Sequence, residues 1–284
     1  MKRLIIILFL SSMVFATPID VEVGARSQGM GGAFCAVADD SSAIYWNPAG
    51  LSQIGSAEVS FIHANPLSAE ATYIDWLALV QPLGKKSGLG FGWLYKWANL
   101  EEGEEAKKSK MKESEYILSL ATKPYSPAIS LGINLKRLTM GSKIGGGSGF
   151  GIDLGLLYTA SSFPFPNFSC GLVLRNLASS LKNESFQNEL RVGAAKKLLN
   201  ERLILAGDLN MKKEVNKEKK DWQWHIGIEA EPAEKIFLRL GLDDGDITCG
   251  AGGVFGMWKF NWSFLSEREY SLGNSQRFEV SFLF

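Results

Sequence analysis

The sequence predicts an all-β fold, a transmembrane antiparallel β-barrel of about 14 strands with an N-terminal hatch inside its lumen. Apolar and polar side chains alternate from Ser56 to the end of the chain, which places them on opposite faces of extended strands. The chain is 46% hydrophobic, and its mean hydropathy near zero fits a sheet that turns one residue in two towards lipid. Residues 17–55 lack this alternation and form a separate segment.

The first sixteen residues predict a cleaved secretory signal peptide. Lys2 and Arg3 precede the apolar residues 4–10, and the small residues Val14 and Ala16 suit cleavage after Ala16. The apolar run is too short for a transmembrane helix, which needs about 20 residues. We therefore expect export, and a location in the cell outer membrane for the barrel of residues 56–284.

The barrel strands are predicted from the alternation itself. Between Trp222 and Glu231, tryptophan, isoleucine and alanine share one parity, whereas glutamine, histidine, glycine and glutamate take the other. Each such stretch approaches the 9–11 residues that a membrane strand needs. The predicted strands begin near Ala57, Thr72, Ser87, Ser114, Ala128, Gly149, Phe168, Glu189, Arg202, Trp222, Ile236, Ile247, Trp258 and Gln276.

The predicted connections alternate between short turns and longer polar loops, which is typical of outer-membrane barrels with short periplasmic turns. The long loops are residues 99–113, 139–148, 179–188, 212–221 and 266–275. The aspartate-rich residues 243–246 are short where a long loop is due, and we interpret them as a tight turn.

A secreted β-sandwich or propeller is the alternative fold, since its strands also alternate. Here the alternate positions that carry the apolar residues hold almost no charged residue. Aromatic residues recur towards strand ends, as in the girdles of membrane barrels. The last strand carries Phe278, Val280 and Phe282 and stops at Phe284. This ending is similar to the strand by which outer-membrane barrels are inserted, so Phe284 is the expected insertion signal for the barrel-assembly machinery.

The sequence offers no constellation for catalysis, and we expect no enzyme, no catalytic residue, no metal site and no cofactor. His63 and His225 both fall on alternating strands. The glycine-rich residues 145–149 lack the lysine and hydroxyl residue of a phosphate loop. Three widely spaced cysteines predict neither a disulfide framework nor a zinc site. Because 30 basic residues balance 30 acidic ones, nucleic acid is not an expected partner.

Residues 17–55 are too short to build their own core. A barrel of fourteen strands is also too wide to be filled by its own side chains, because about eight strands suffice for that. We therefore expect the segment to plug the lumen. Asp40 or Ser41 is expected to cap one short helix, which Pro48 and Gly50 would end.

Charged and polar residues on the parity opposite the apolar one are predicted to face the lumen. Unpaired buried charges cost several kcal/mol, so these residues should pair with each other or anchor the segment through Arg26, Asp39 and Asp40. The lumen-facing candidates are Lys96, Asp153, Arg175, Arg191, Asp208, His225, Glu229, Arg239 and Glu279.

The N-terminal stretch resembles the start of the FadL-type outer-membrane proteins, and more closely that of their PorV/PorQ branch. Residues 24–26, 29–34, 36–40 and 45–51 carry the resemblance, the last of them reading Tyr-Trp-Asn-Pro-Ala-Gly-Leu. It implies a hatch inside a fourteen-stranded barrel. The hatch or gate residues that it implies are Gly24, Arg26, Gly29, Gly31, Gly32, Asp39, Asp40, Asn47, Pro48 and Gly50.

The resemblance implies two hypotheses about function. FadL-like members pass hydrophobic or small amphipathic molecules passively, and here the hatch would gate the path. PorV-like members are accessory barrels of type IX secretion that bind exported proteins at the cell surface. A structural porin-like protein without a specific ligand is a third possibility. The expected partners are outer-membrane lipid, the barrel-assembly machinery, and either a hydrophobic small molecule or exported proteins.

Overall fold

The computed structural model describes residues 22–67, 72–102, 107–142, 145–160, 166–181, 188–213, 220–266 and 274–284. The predicted signal peptide, residues 1–16, lies outside these residues, as do the central parts of most of the predicted long loops. Within the described ranges, no helix is both long and apolar enough to cross a membrane.

Fourteen strands form a closed antiparallel barrel, as the alternation predicts. Each strand pairs with its neighbours in sequence, and β1 closes on β14 from Glu58 opposite Leu283 to Asn65 opposite Gln276. A sandwich is excluded, because the sheet has no free edge. The strands are β1 (Glu58–Leu67), β2 (Thr72–Leu83), β3 (Ser87–Glu102), β4 (Lys107–Thr122), β5 (Ile129–Ser142), β6 (Gly145–Ala160), β7 (Phe168–Leu181), β8 (Asn188–Leu198), β9 (Leu203–Lys213), β10 (Lys220–Ala233), β11 (Ile236–Asp243), β12 (Asp246–Phe255), β13 (Trp258–Ser266) and β14 (Ser275–Leu283).

The two ends of the barrel differ. We call the end at which β1 begins and β14 finishes the proximal end, and the opposite end the distal end. At the proximal end, Ala57 and Phe284 exchange two backbone hydrogen bonds of 3.0 Å. At the distal end, β11 and β12 join through a two-residue turn in which Asp244 (φ 46°) and Gly245 (φ 100°) both take positive φ, as tight hairpins require.

Two predicted loops are mostly strand. Residues 99–102 belong to β3 and residues 107–113 to β4, with Glu102 opposite Lys107. Residues 139–142 likewise belong to β5 and residues 145–148 to β6, with Ser142 opposite Gly145. These extensions have paired backbones but no alternation of apolar and polar residues, so the pattern that revealed the other strands could not reveal them.

The apolar residues at alternate strand positions form the outer face of the barrel. Leu118, Leu135 and Leu238 point outward and expose 51%, 52% and 53% of their surface. Their sequence neighbours Ser119 and Lys136 point inward and are buried. The outer face is therefore apolar and exposed, whereas the inner face holds most of the charge.

The chain preceding β1 contains three short helices, α1 (Ala25–Gly29), α2 (Ala43–Trp46) and a 3-10 helix (Pro48–Gln53). The predicted cap is displaced, because α2 begins after Ser42, whose side chain makes no capping bond. Asp40 instead accepts a hydrogen bond from the Ser42 N–H at 3.0 Å. Pro48 follows α2 and also begins the 3-10 helix, since proline suits a first helical position.

Candidate functional site

Residues 22–57, here called the N-terminal segment, cross the interior of the barrel. Ala49 lies against Gly132 of β5, whereas Met30 lies against Gly227 of β10 on another part of the wall. Helix α1 also contacts β11, β12, β13 and β14. A segment that touches inward positions around a closed sheet occupies its lumen.

The segment approaches the wall at inward-facing glycines. A Cβ atom at Gly132 would lie 2.2 Å from the backbone nitrogen of Ala49, and one at Gly171 would lie 2.3 Å from the carbonyl oxygen of Cys35. Any side chain at these positions would displace the segment. We call this group the glycine seat, and its members are Gly88, Gly132, Gly155, Gly171, Gly227 and Gly241.

The shared role of these six glycines was not predicted from the sequence. The available signal was that glycine recurs on the inward parity of many strands. An empty lumen gives no reason for that recurrence, whereas a backbone packed against the wall requires it.

Arg26 joins the segment to the wall. Its Nε and Nη2 atoms each donate to a different carboxylate oxygen of Glu229 on β10, both at 2.8 Å. Its Nη1 atom donates to Asp39 at 2.5 Å and to Asp40 at 3.0 Å. On the far side, Arg239 donates from Nε to Glu229 at 2.6 Å. Two arginines and three carboxylates therefore form one network across the boundary between segment and wall.

Electrostatics within the segment match this geometry. Burial alone would lower the pKa of the Arg26 guanidinium, but the surrounding carboxylates, Asp39 foremost, hold it well above its ordinary value. Burial alone would raise the pKa of Asp40. The positive charges of Lys259 and Arg26, with a hydrogen bond from Ser42, hold that pKa below its ordinary value instead. Both groups are thus charged at neutral pH.

Four other lumen-facing candidates bind the backbone of the segment. Asp208 accepts from the N–H groups of Phe34 and Cys35 at 3.0 and 2.9 Å, and Glu279 accepts from the Ala25 N–H at 3.0 Å. These carboxylates satisfy donors that would otherwise be buried without partners.

The remaining two of the four bind segment carbonyls. Arg191 donates from Nη1 to the Gly32 carbonyl at 3.0 Å. His225 Nδ1 lies 3.0 Å from the Gly31 carbonyl and 2.9 Å from an Asp243 carboxylate oxygen. Because both of its neighbours are acceptors, Nδ1 carries the proton.

The other candidates contribute mainly to ion pairs on the wall. Lys96 pairs with Glu113 at 3.1 Å, and Asp153 pairs with Lys136 at 2.9 Å. Arg175 pairs with Glu189 at 3.0 Å. These charged residues follow adjacent strands from β3 to β8 and line one side of the lumen.

Three aromatic side chains of the segment each contact the guanidinium of an arginine inside the barrel. Arg191 lies over the Trp46 ring at 4.6 Å, and Arg175 lies over the Tyr45 ring at 4.1 Å. Arg26 lies over the Phe34 ring at 5.2 Å. Cation–π contacts of this kind favour a desolvated arginine. The sequence analysis missed these partners, although Tyr45 and Trp46 belong to the stretch that carries the resemblance.

The predicted hatch residues shape the path of the segment. Gly24, Gly31 and Gly32 take φ angles of 99°, 63° and 75°, which other residues rarely adopt. Asn47 donates to the carbonyls of Cys35 at 2.9 Å and Leu156 at 3.2 Å, and so links the segment to itself and to β6.

Pro48 follows Asn47, and Gly50 lies so close to Ala38 that a Cβ there would stand 2.0 Å from the Ala38 carbonyl oxygen. Gly29 ends α1 beside Gly250 of β12. Each predicted hatch residue therefore lies against the barrel wall or against another part of the segment.

No group of three or more histidine, cysteine, aspartate or glutamate side chains in the described ranges is arranged to hold a metal ion. The arrangement consists of ion pairs, backbone hydrogen bonds and tight backbone contacts. Contacts of this kind hold the N-terminal segment in place, and breaking them would release it.

Comparison with known proteins gives the family. Residues 12–207 match the model of an uncharacterised protein family, UPF0164. The chain belongs to the UPF0164 family. No curated protein matches this UPF0164 chain.

Solved structures share the barrel of the UPF0164 chain. The Pseudomonas putida toluene transporter TodX aligns with a TM-score of 0.67 and 14% identity over 94% of this chain and 98% of its own. The Ralstonia pickettii toluene transporter TbuX aligns with a TM-score of 0.66 and 13% identity over 92% and 97%. The monoaromatic hydrocarbon channel CymD aligns with a TM-score of 0.66 and 14% identity over 91% and 96%. The UPF0164 chain thus has the FadL-type barrel fold.

Proposed function

We propose that this protein is an outer-membrane channel for the passive movement of hydrophobic or small amphipathic molecules, gated by its N-terminal segment, and not an enzyme. The observation that carries the proposal is the segment itself. It crosses the lumen of a closed barrel, and Arg26 holds it to Glu229 of the wall by two hydrogen bonds of 2.8 Å.

The outer face supports a membrane location. Every strand is paired on both sides, so the sheet offers lipid no unpaired edge. Large apolar side chains are exposed on that face, among them Phe61, Phe150 and Leu240 at 50%, 60% and 62%. In water such a surface would be strongly unfavourable, since apolar exposure costs about 25 cal/mol per Å².

The composition of the lumen wall supports a path for solutes that have apolar parts. The inward positions of β1 to β4 carry an apolar strip that includes Ile62, Trp76 and Leu94, each almost completely buried. Ile44 of the segment packs beside this strip at Gly92. When the segment moves away, the strip becomes a path of low polarity beside the ion pairs of β3 to β8.

The contacts between the segment and the wall support the proposal that the segment is a gate. The segment is held by ion pairs and hydrogen bonds as well as by apolar packing against the wall, and water can replace the polar partners when the segment leaves its place. The toluene transporters and the hydrocarbon channel with the same fold are consistent with a path for small apolar solutes.

Planar-bilayer recordings test the proposal. Removing residues 24–50 should raise the single-channel conductance, because the layer that fills the lumen is lost. The full-length Arg26→Ala variant should open more often than the wild type while keeping the same fully open conductance. A deletion variant with unchanged conductance, together with an Arg26→Ala variant that opens no more often than the wild type, would contradict a gate.

Solute flux provides a second readout. Proteoliposomes that contain the protein should take up toluene-sized aromatic molecules faster than protein-free liposomes, and the Arg26→Ala variant should increase the rate. Uptake equal to that of protein-free liposomes would contradict a channel for such solutes.

The resemblance of residues 24–51 to the PorV/PorQ branch favours a second candidate, an accessory barrel of type IX secretion. Purification from intact outer membranes discriminates between the two. Exported proteins recovered in stoichiometric amounts would favour the secretion role, whereas apolar molecules in the lumen would favour the channel.

A further inference from the structure

Four outward-facing side chains form one row across β3 to β6. Trp93 is opposite Tyr116, Tyr116 is opposite Arg137, and Arg137 is opposite Phe150. The Trp93 and Tyr116 rings stack with centroids 6.3 Å apart and planes 4° from parallel. The guanidinium of Arg137 lies over the Phe150 ring at 5.2 Å. An exposed cation thus stands within an aromatic row.

From β4 to β6 this row marks the distal edge of the apolar band, whereas on β3 the outward aromatic residues Tyr95 and Trp97 continue beyond it. On β5 the outward residues from the proximal end are Ile129, Leu131, Ile133 and Leu135, and Arg137 comes next. Beyond the row the outward residues of β4, β5 and β6 are small or polar, beginning with Ser114, Thr139 and Ser148. In a membrane barrel this edge lies at the level of the lipid headgroups.

A groove runs beneath Arg137 on the outer face. Its volume is about 440 Å³, and its apolar walls include Phe91, Tyr116, Leu118, Leu135 and Phe150. At the outward positions of β4, β5 and β6 that the structure describes, no acidic residue accompanies Arg137. The guanidinium is therefore available to an external anion.

We propose that this surface binds one lipid, whose acyl chain lies in the groove and whose headgroup phosphate binds the guanidinium of Arg137. A guanidinium presents two parallel N–H groups that match two phosphate oxygens. The Phe150 ring supports the cation from below, so both parts of the site have fixed places on rigid strands.

The proposal rests on the membrane location given under Proposed function, but it concerns the outer surface and is independent of the gate. A phospholipid suits the surface better than a second copy of the chain. The groove is apolar and lies below the exposed cation Arg137, which matches one acyl chain below one phosphate.

Native mass spectrometry of the intact protein tests the site. The protein is titrated with phosphatidylglycerol or with diacylglycerol, which carries identical acyl chains but no phosphate, and the retained lipid is counted. Phosphatidylglycerol should be retained in preference. Arg137→Gln should weaken its retention about fivefold, because one basic side chain near the headgroups contributes about 1 kcal/mol.

Two further variants separate charge from shape. Leu135→Trp fills the groove without changing charge and should reduce retention of both lipids. Arg202→Gln removes one exposed arginine from the turn at the proximal end and should leave retention unchanged. Each variant must keep the heat-dependent gel shift of a folded barrel.

The proposal is overturned if Arg137→Gln retains as much phosphatidylglycerol as the wild type, or if both lipids are retained equally. It is also overturned if Arg137→Gln abolishes a dimer, because the groove would then hold a second copy. Conductance in the same preparations keeps the two proposals apart. A wild type that conducts but retains no lipid contradicts only the lipid site, whereas one that does not insert contradicts the membrane location.

Discussion

Arg26 of the N-terminal segment and Glu229 of β10 share two parallel hydrogen bonds of 2.8 Å. Glu229 is buried and Arg26 is mostly buried, and Glu229 also accepts from Arg239 at 2.6 Å. A bidentate pair fixes orientation as well as distance. The position of the segment therefore depends on the charge and on the planar shape of this one arginine.

Arg26→Met should release the segment. The variant removes the one cation that joins Glu229 of the wall to Asp39 and Asp40 of the segment, and breaking a buried pair from one side costs about 3–5 kcal/mol. Hydrogen exchange of the backbone amides in residues 22–54 should become at least about 100-fold faster. Arg202→Met, which removes an exposed arginine from a turn, is the control and should leave this exchange unchanged. Equal protection in Arg26→Met and the wild type would contradict the anchoring role.

The glycine seat should not tolerate alanine. At Gly155 the new Cβ would stand 2.4 Å from the Asn47 side-chain oxygen, and at Gly171 it would stand 2.3 Å from the Cys35 carbonyl oxygen. Each substitution should cost about 1–3 kcal/mol of unfolding free energy in urea, as overpacking does. Gly207→Ala is the matched control on β9, because its nearest atom would be 3.7 Å away. A seat variant as stable as the control would count against the tight contact.

Acid should weaken the docking of the segment through Asp40. Its pKa is depressed in the folded state, so the carboxylate contributes stability above the unfolded pKa of about 3.9. That stability is lost as the pH falls through the folded pKa. Protection of residues 22–54 should thus decline below about pH 4 in the wild type. Asp40→Asn should lower protection at neutral pH and flatten this part of the profile, and an unchanged profile would contradict the assignment.

The Cys35 thiol should report the position of the segment. It is buried, and burial together with the negative charge of Asp208 raises its pKa well above the ordinary value. Reaction with a water-soluble maleimide requires an accessible thiolate. In a Cys170→Ser/Cys249→Ser background, labelling should be slow and should accelerate when Arg26→Met is added. Rapid labelling without that substitution would show that the segment is not packed as described.

The sequence predicted the strand number and the two faces well, because each strand has one lipid-like and one polar side. The distal extensions of β3 to β6 escaped detection because paired backbone outside the apolar band needs no alternation. Arg26, Asp39 and Asp40 were predicted as anchors, since a buried charge requires a partner. The pairing of Arg26 with Glu229 depends on the registers of β9, β10 and β11, which local sequence does not fix.

The glycine seat shows a different limit of sequence reasoning. Gly132 and Gly171 lie opposite Ala49 and Cys35 only after the barrel has closed around the segment. The need for glycine at these positions can be recognised only when the residue that packs against it is known. The arginine–aromatic contacts of Tyr45 and Trp46 were missed for the same reason.

A reversible cross-link between segment and wall tests the central claim, that the segment must leave its seat for solutes to pass. The side-chain oxygens of Ser41 in the segment and Ser60 on β1 lie 2.8 Å apart, so cysteines at these two positions would bring their sulfur atoms together without adding a side chain at a glycine. The pair is introduced as cysteines after Cys35, Cys170 and Cys249 are replaced by alanine, and aromatic-solute uptake into proteoliposomes is measured. We expect uptake at the protein-free level when the disulfide is formed and recovery when it is reduced. Equal uptake in the two states, with the cross-link verified by mass, would contradict the gate.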